Sequence, residues 1–185
     1  MKCAKCKMPA KAKFKHTGNL CQNHFLELIE KRVRKGLRTQ KLIKKNDKIL
    51  FIDNKSKEYY VSNYLLKSII KNLPVKIDTK KSKKLTLASA KHNKIIIPWS
   101  LDDEAEEFLE LIFNKKQPLK FNKKALKLLG NVSEEEIELF AKIKRFKYKK
   151  TSKSKIKQML DKMENKYPGY KFSLLNSIKQ IKELK

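Results

Sequence analysis

Three cysteines and one histidine stand in two short pairs near the start of the chain. The pattern is Cys3-x-x-Cys6 and Cys21-x-x-His24, and it uses every cysteine in the sequence. A two-residue spacer lets two side chains on one turn reach the same ion, and Zn²⁺ prefers four nitrogen or sulfur ligands in a tetrahedron. The pattern therefore predicts one bound zinc ion. A three-cysteine iron–sulfur cluster is the main alternative, and three unrelated free thiols are another.

The second ligand pair needs an element to hold it. Apolar residues recur at helical spacing after His24, at Phe25, Leu28, Ile29, Val33 and Leu37, which predicts a helix that starts near Gln22. His16 and His92 have no ligand partner close in sequence, and we expect both to be polar surface residues.

The same helix carries a row of cations largely away from its apolar stripe, continued by two lysines beyond it. This basic ridge comprises Lys31, Arg32, Arg34, Lys35, Arg38, Lys41, Lys44 and Lys45. Cations spaced in this way neutralise nucleic-acid phosphates without reading sequence. The ridge predicts RNA or DNA binding, and a solvated helix face is the alternative.

The whole chain shares this charge bias. Its 185 residues hold 47 Lys and Arg against 19 Asp and Glu, a formal net charge of +28. Such a charge favours a polyanionic partner, with nucleic acid first and an anionic membrane surface second. A general lysine bias in composition is the plainer explanation. No apolar run approaches the ~18 residues that span a bilayer, and no signal sequence follows Met1, so we expect a cytoplasmic protein.

The middle of the chain alternates short apolar runs with helical patterns. Strands are predicted at 49–52, 75–77, 85–88 and 95–97, with a helix after the first of them, which is typical of an α/β fold. The loop after the first strand contains Asn54, Lys55, Ser56, Lys57, Glu58 and Tyr59. Because a phosphate-binding loop needs glycines and this loop has none, we do not expect it to bind ATP in the usual way.

A second candidate site follows the strand at 95–97. Ser100 and Asp103 have the spacing of a helix N-cap pair, and Asp102 lies between them. Acidic residues at a helix start are explained by capping and by the helix dipole, so we expect no further role for Asp102 and Asp103. Further helices are predicted from Ser133, around 156–163 and from Ser173.

Three segments resemble the tRNA 2-thiolation enzymes of the PP-loop ATP pyrophosphatase superfamily. They are the cysteine pattern followed by Glu30-Lys31-Arg32-Val33-Arg34-Lys35, the stretch Leu101-Asp102-Asp103-Glu104-Ala105, and the tail 163–175. The resemblance covers roughly residues 1–52, 95–116 and 134–184. It implies a reduced PP-loop (HUP/Rossmann-like) domain with short parallel strands, an N-terminal zinc finger and a helical C-terminus.

The departures from the family pattern are equally specific. The family's Ser-Gly-Gly-x-Asp-Ser loop falls by position on 54–59, which keeps neither glycine. No cysteine stands in 80–94 or in 149–152, where the active members of the family hold sulfur or an iron–sulfur cluster. The resemblance therefore implies the non-catalytic partner subunit of wobble-uridine (position 34) 2-thiolation, with no enzyme activity, no ATP and no iron–sulfur cluster of its own.

These inferences give a complete expectation for the chain. The segments are a zinc finger at 1–24, a basic linker helix at 25–45, a degenerate PP-loop-like α/β domain at 46–116 and a helical part at 117–185. The expected partners are tRNA and a catalytic thiolase paralogue. Two alternatives are a free-standing RNA-binding protein and an enzyme that uses Asp102 or Asp103 on another nucleotide.

Overall fold

The computed structural model describes residues 1–39, 42–82, 89–115, 121 and 123–183. It opens with an antiparallel hairpin of β1 (Ala12–Phe14) and β2 (Gly18–Leu20), followed directly by helix α1 (Gln22–Thr39). The helix begins where the apolar spacing predicts, and Phe25, Ile29, Val33 and Leu37 are its buried residues.

Within the described residues, four parallel strands form the central sheet. They are β3 (Lys48–Asp53), β4 (Lys76–Lys81), β5 (Lys94–Ser100) and β6 (Ala125–Leu129), in the order β4-β3-β5-β6. The predicted α/β class with short parallel strands is confirmed. The strand predicted at 85–88 lies outside the described residues. β6 joins the sheet from within the segment 117–185, where the sequence pattern indicated only helices. The pattern missed it because so short a segment, with four apolar residues and Lys127, does not distinguish a strand from a helix.

Five further helices follow α1 in the part of the chain that the structure describes. They are α2 (Lys57–Ile69), α3 (Leu101–Asn114), α4 (Glu134–Ile143), α5 (Lys155–Lys166) and α6 (Tyr170–Glu183). The capping boxes of α3 and α4, built on Ser100 and Ser133, are as predicted. α6 begins three residues before the predicted cap at Ser173. The Glu164 carboxylate accepts the N–H groups of Gly169 and Lys171, and Gly169 has φ +89°, so this turn starts the helix earlier.

The two faces of the sheet bury different side chains, as alternation along a strand requires. Phe51 and Ile96 belong to the same cluster as Phe25 and Ile29 of α1. Leu50, Ile52, Ile95, Ile97 and Trp99 form a second cluster from the alternate positions of the same strands. Both faces of the sheet are therefore buried along β3 and β5.

The strand order reverses direction between β3 and β5. The chain passes from β3 outward to β4, and then returns to the other side of β3 with β5 and β6. In open α/β sheets, ligands bind outside the carboxyl ends of the strands at such a switch point. We call the carboxyl ends of β3, β5 and β6, with the first turns of α2, α3 and α4, the carboxyl edge.

Candidate functional site

The first site is the cysteine cluster, which comprises Cys3, Cys6, Cys21 and His24. The turn at 3–8 is closed by the Cys3 N–H, which donates to the Met8 carbonyl at 2.9 Å. Cys21 links β2 to α1, and His24 lies in the first turn of that helix. The hairpin thus folds the first cysteine pair back onto the second pair at the start of α1.

The four ligand atoms converge on one point. All lie within 4.8 Å of one another. The Nδ1 atom of His24 is 3.4 Å from the Cys3 sulfur and 3.3 Å from the Cys21 sulfur, and the sulfurs of Cys6 and Cys21 are 3.7 Å apart. Cys3 and Cys21 are buried. The structure therefore brings together the four residues that the spacing predicts, in a group that could hold a metal ion.

The electrostatics of this group favour a bound cation. Burial raises the pKa of the Cys3 thiol, but the backbone N–H donors around it and His24 outweigh that effect and lower its pKa to about 6. For Cys6, the Met8 N–H lowers the pKa, whereas burial and the neighbouring thiols of Cys21 and Cys3 raise it, and the net shift is upward. Three sulfurs so close together cannot all ionise unless a positive charge lies between them.

The basic ridge divides into two parts in the structure. Lys31, Lys35 and Arg38 are exposed and Arg34 is half-buried, while Arg32 turns inward. The Arg32 guanidinium bonds the Glu136 carboxylate at 2.8 Å and lies over the Phe172 ring. Lys44 and Lys45 are exposed beyond α1, and Lys41 lies outside the described residues. RNA binding by the ridge stays a prediction, and Arg32 holds an internal position.

The two remaining histidines are not the polar surface residues we expected. The side chain of His16 is 15% exposed, and its Nε2 lies 3.2 Å from the buried Glu136 carboxylate. The side chain of His92 is 12% exposed, with Nε2 2.8 Å from Asp78. Glu136 is 120 residues from His16, and Asp78 is 14 residues from His92. The other ring nitrogen of His92 lies 2.7 Å from the Ser89 hydroxyl, three residues away. His16 and Arg32 together tie the hairpin and α1 to α4.

The loop at 54–59 forms a tight turn at the carboxyl edge. The Lys55 N–H donates to the Asp53 carboxylate and the Ser56 N–H to the side-chain amide oxygen of Asn54, while Ser56 caps α2. Lys55 has φ +58°, in the left-handed region that favours glycine. The turn therefore holds a glycine-type conformation without a glycine. Whether it binds a nucleotide is untested, and our expectation that it does not stays a prediction.

Lys57 and Glu58 of the same loop face the starts of the neighbouring helices. The Lys57 ammonium lies 2.9 Å from the Glu134 carboxylate. Burial raises the pKa of Glu58, and the charge of Asp103 adds to that shift. The first turns of α2, α3 and α4 therefore lie close enough to share charges.

A buried ion pair lies at the centre of the carboxyl edge. Asp102 is fully buried, and its carboxylate accepts the Lys171 ammonium at 2.5 Å and the Glu134 N–H at 2.7 Å. Lys171 also bonds Asp161 at 2.6 Å. Burial lowers the pKa of Lys171, but the two carboxylates outweigh it and raise that pKa above its ordinary value. Asp102 thus joins α3 to α4 and α6, and does not serve only as a helix cap as we expected.

Asp103 combines the predicted cap with a second ion pair. Its carboxylate accepts the Ser100 N–H at 2.7 Å and also lies 2.5 Å from the Lys157 ammonium. We call these ion pairs the carboxyl-edge cluster, whose members are Lys57, Asp102, Asp103, Glu134, Lys157, Asp161 and Lys171.

Sequence reasoning missed the basic members of this cluster. One signal was available, because Lys171 falls four and seven residues before the buried Leu175 and Ile178 of α6, on the stripe that helical spacing buries. Lys57 and Lys157 offered no such signal in a sequence so rich in lysine.

Comparison with known proteins gives two informative matches. Over 70 residues the chain is 39% identical to the tRNA-5-methyluridine(54) 2-sulfurtransferase of Thermotoga maritima, a match that covers 37% of this chain and 23% of that protein. The fold is similar to that of the U34-tRNA thiolase NcsA from Methanococcus maripaludis, with a TM-score of 0.79 and 20% identity over 99% of this chain and 87% of the other. No family model matches the sequence. The homologues are thus tRNA 2-thiolation enzymes, as the resemblance implied.

These matches contradict the prediction that the chain is not an enzyme. Both similar proteins are named for the sulfur transfer that they carry out on tRNA, so the comparison points to an enzyme. Loss of the glycine loop and of the central cysteines was too narrow a basis for the opposite conclusion. The proposed non-catalytic status is therefore withdrawn.

The cofactor prediction of one zinc ion and no iron–sulfur cluster is also contradicted. The solved NcsA structure contains a [4Fe-4S] cluster, so iron–sulfur chemistry replaces zinc as the expectation from the homologues. The cysteine cluster supplies the right donor types, since iron–sulfur clusters take Cys and in some proteins His ligands.

The distances between the ligand atoms of the cysteine cluster test whether these four residues can hold an iron–sulfur cluster. Ligand atoms around one tetrahedral ion, with bonds of about 2.0–2.3 Å, lie roughly 3.3–3.8 Å apart, as the three measured pairs do. A [4Fe-4S] cluster binds each thiolate through a different iron and so needs the ligands further apart. The four side chains as placed do not fit such a cluster.

None of the described helices is long and apolar enough to cross a membrane.

Proposed function

We propose that this protein acts as an enzyme of tRNA thiolation, with tRNA as its substrate, in the cytoplasm. The observation that carries the proposal is the 39% identity over 70 residues to a tRNA sulfurtransferase, in a chain whose fold follows that of a tRNA thiolase along nearly its whole length. Because the sequence match covers 23% of its relative, activity and substrate are inferred.

The exposed part of the basic ridge would supply the affinity for tRNA. Lys31, Lys35 and Arg38 project from one helix, with Lys44 and Lys45 beyond it. Such contacts bind phosphates in any sequence and position the RNA. Arg32 takes no part in this proposal because it is engaged by Glu136.

The carboxyl edge would hold the reacting nucleotide. Three helix N-termini meet there, each preceded by a capping serine at Ser56, Ser100 or Ser133, and helix N-termini favour anions. The Oε2 atom of Glu134 is buried with no hydrogen-bond donor in the part of the chain that the structure describes. The Lys157 ammonium lies 3.8 Å from that oxygen, so charge attraction and not a hydrogen bond holds it at the start of α4. The Asp102–Lys171 pair would keep the surrounding helices in place.

We propose further that a second thiolase chain belongs to the active unit. The turn at 54–59 lacks the glycines that close backbone N–H groups around a nucleotide phosphate, and a partner with that loop would supply the nucleotide site. This chain would contribute tRNA binding and the carboxyl edge. No step is assigned to an iron–sulfur cluster, since the cysteine cluster as placed does not fit one.

The test is direct sulfur incorporation into tRNA. Protein purified under anaerobic conditions, with and without the proposed partner, is incubated with unmodified tRNA, ATP and sulfide, and the digested nucleosides are analysed by mass spectrometry. We expect a thiolated uridine, and mapping shows whether it stands at position 34 or 54. An Asp103→Asn variant, which weakens the ion pair with Lys157 at the carboxyl edge, should make less product while it still binds tRNA. Absence of thiolated uridine with every combination would reject the proposal.

A further inference from the structure

A groove runs between α1 and α6 and is closed at one side by the turn after β6. Two adjoining cavities of about 290 and 590 Å³ make it up. They share five lining residues, namely Arg32, Gly36, Asn131, Leu175 and Lys179. Volumes of this order are typical of sites that hold a nucleotide-sized ligand.

The groove has an apolar floor and a basic rim. Val33, Leu37, Leu175 and Ile178 line the floor and are buried. Lys35 and Lys179 stand exposed on opposite walls, on α1 and α6. Among the described residues that line it, Glu104 at the inner end is the one carboxylate, and it lies 2.5 Å from the Lys127 ammonium. The rim is therefore positive, and the floor offers a surface against which a flat ring can pack.

Gly36 keeps the groove open. It lies inside α1, where glycine costs roughly 0.5–1 kcal/mol relative to alanine. Packing does not demand it, because an added Cβ would meet only the Asn131 amide nitrogen, at 3.9 Å. What the missing side chain leaves is space above the apolar floor, between the two lysines.

We propose that this groove binds a single-stranded segment of RNA, with one base over the apolar floor and the adjacent phosphates at Lys35 and Lys179. Single strands are bound by a positive groove that follows the backbone and by apolar or aromatic surfaces that take the bases, which a duplex keeps stacked inside. A chain with net charge +28 attracts a polyanion such as RNA and repels a cationic ligand. The inference rests on the proposed function in naming tRNA as the source of the strand.

A substitution that fills the groove without changing charge tests the base contact. Gly36→Phe places a ring in the space above the floor, whereas Gly36→Ala adds only a Cβ that fits. With a fluorescent seven-nucleotide RNA, we expect Gly36→Phe to weaken binding by about tenfold, the loss of one base contact. The salt dependence should not change, because no phosphate contact is removed. Gly36→Ala should bind as the unaltered chain does.

A charge reversal tests the rim independently and does not alter the buried floor. Lys35→Glu with Lys179→Glu should weaken binding and reduce the slope of log affinity against log salt by about two. The matched control is Lys67→Glu with Lys71→Glu, which changes the net charge equally at two exposed positions outside the groove, one in α2 and one in the turn after it. In the control variant, the slope of log affinity against log salt should stay steeper than in the Lys35→Glu, Lys179→Glu variant.

Three results would overturn the assignment: unchanged RNA affinity in a folded Gly36→Phe protein, equal effects of the two charge pairs, or displacement of the RNA by AMP at equal concentration. The last result would make the groove a site for free nucleotides. These measurements need no sulfur transfer. If the protein fails to thiolate tRNA but Gly36→Phe still weakens RNA binding, the groove assignment stands and the proposed function is rejected.

Discussion

The cysteine cluster and the carboxyl-edge cluster bring charged or metal-binding groups together in opposite ways. The cysteine cluster takes its four ligands from positions 3 to 24, and a single hairpin and one helical turn bring them together. The Asp102–Lys171 pair joins residues 69 positions apart, on α3 and α6. A local site can be recognised from spacing, whereas a distant one exists only after the helices have packed.

The two clusters also differ in what stabilises them. A metal ion supplies the positive charge that closely spaced thiolates need. In the carboxyl-edge cluster the chain supplies both signs, with Lys171 1% exposed against a fully buried Asp102. Loss of the metal ion should therefore affect only the region around the cysteine cluster. Loss of the Lys171 charge should affect α3, α4 and α6.

The largest effect is expected from loss of a ligand in the cysteine cluster. Cys21→Ser should abolish metal binding, which in small metal-folded domains is worth on the order of 10 kcal/mol. Amide hydrogen exchange should rise across 1–24 and leave β3 and β5 protected. Elemental analysis of the unaltered protein, with acid-labile sulfide, determines whether the bound group contains iron. Equal metal content in Cys21→Ser would contradict the site, and Cys6→Ser is the matched comparison.

The next effect is expected from Lys171→Met. It leaves the Asp102 carboxylate buried without its counter-charge, which typically costs 3–5 kcal/mol, measurable by urea unfolding. The double variant with Asp102→Asn should be more stable than Lys171→Met alone. If the two single changes add in the double variant, the groups are not coupled.

The pH dependence of that variant follows from burial, which raises the pKa of Asp102 above its ordinary value of 3.8. A raised carboxyl pKa means that the folded state holds its proton more tightly than the unfolded state. The loss of stability in Lys171→Met should thus be absent below pH 3.8. It should grow as the pH rises toward the folded-state pKa of Asp102, and be complete above that pKa. Unfolding at pH 3 and pH 7 checks the sign.

A smaller effect on stability is expected at Glu136 of α4, which His16 of the hairpin and Arg32 of α1 contact. Burial raises the pKa of that carboxyl, but His16 and Arg32 outweigh burial and lower it below 4.5. The stability that Glu136 contributes is therefore present above 4.5 and is lost as the pH falls through its folded-state pKa. Arg32→Met should cost about 2 kcal/mol and leave the salt dependence of tRNA binding intact. Arg38→Met should leave the stability unchanged and reduce the salt dependence of tRNA binding, since Arg38 is exposed.

The smallest effect concerns the turn before α2. Lys55→Gly relieves a left-handed backbone conformation, and the greater freedom of glycine in the unfolded chain offsets part of that gain. We expect a net stabilisation of less than about 1 kcal/mol. Titration calorimetry of the same variant with ATP tests our prediction that this loop does not bind the nucleotide. Clear binding by the unaltered chain would contradict that prediction.

The sequence by itself determined the features that depend on near neighbours. The pattern Cys3-x-x-Cys6 with Cys21-x-x-His24 predicted four residues that the fold does bring together. Helical periodicity predicted α1, and the serine boxes predicted where α3 and α4 begin. Each is set by contacts within a turn or two, so the residue types and their spacing are sufficient.

Only the tertiary structure decided which charges became internal. Lysines and arginines look alike along a chain with 47 of them, yet Arg32 and Lys171 are held by buried carboxylates while Lys35 and Arg38 face outward. Burial of a charge depends on which helix packs against it and on whether an opposite charge arrives with that helix. Those partners lie some 70 to 100 residues away in the chain, beyond the reach of any local pattern.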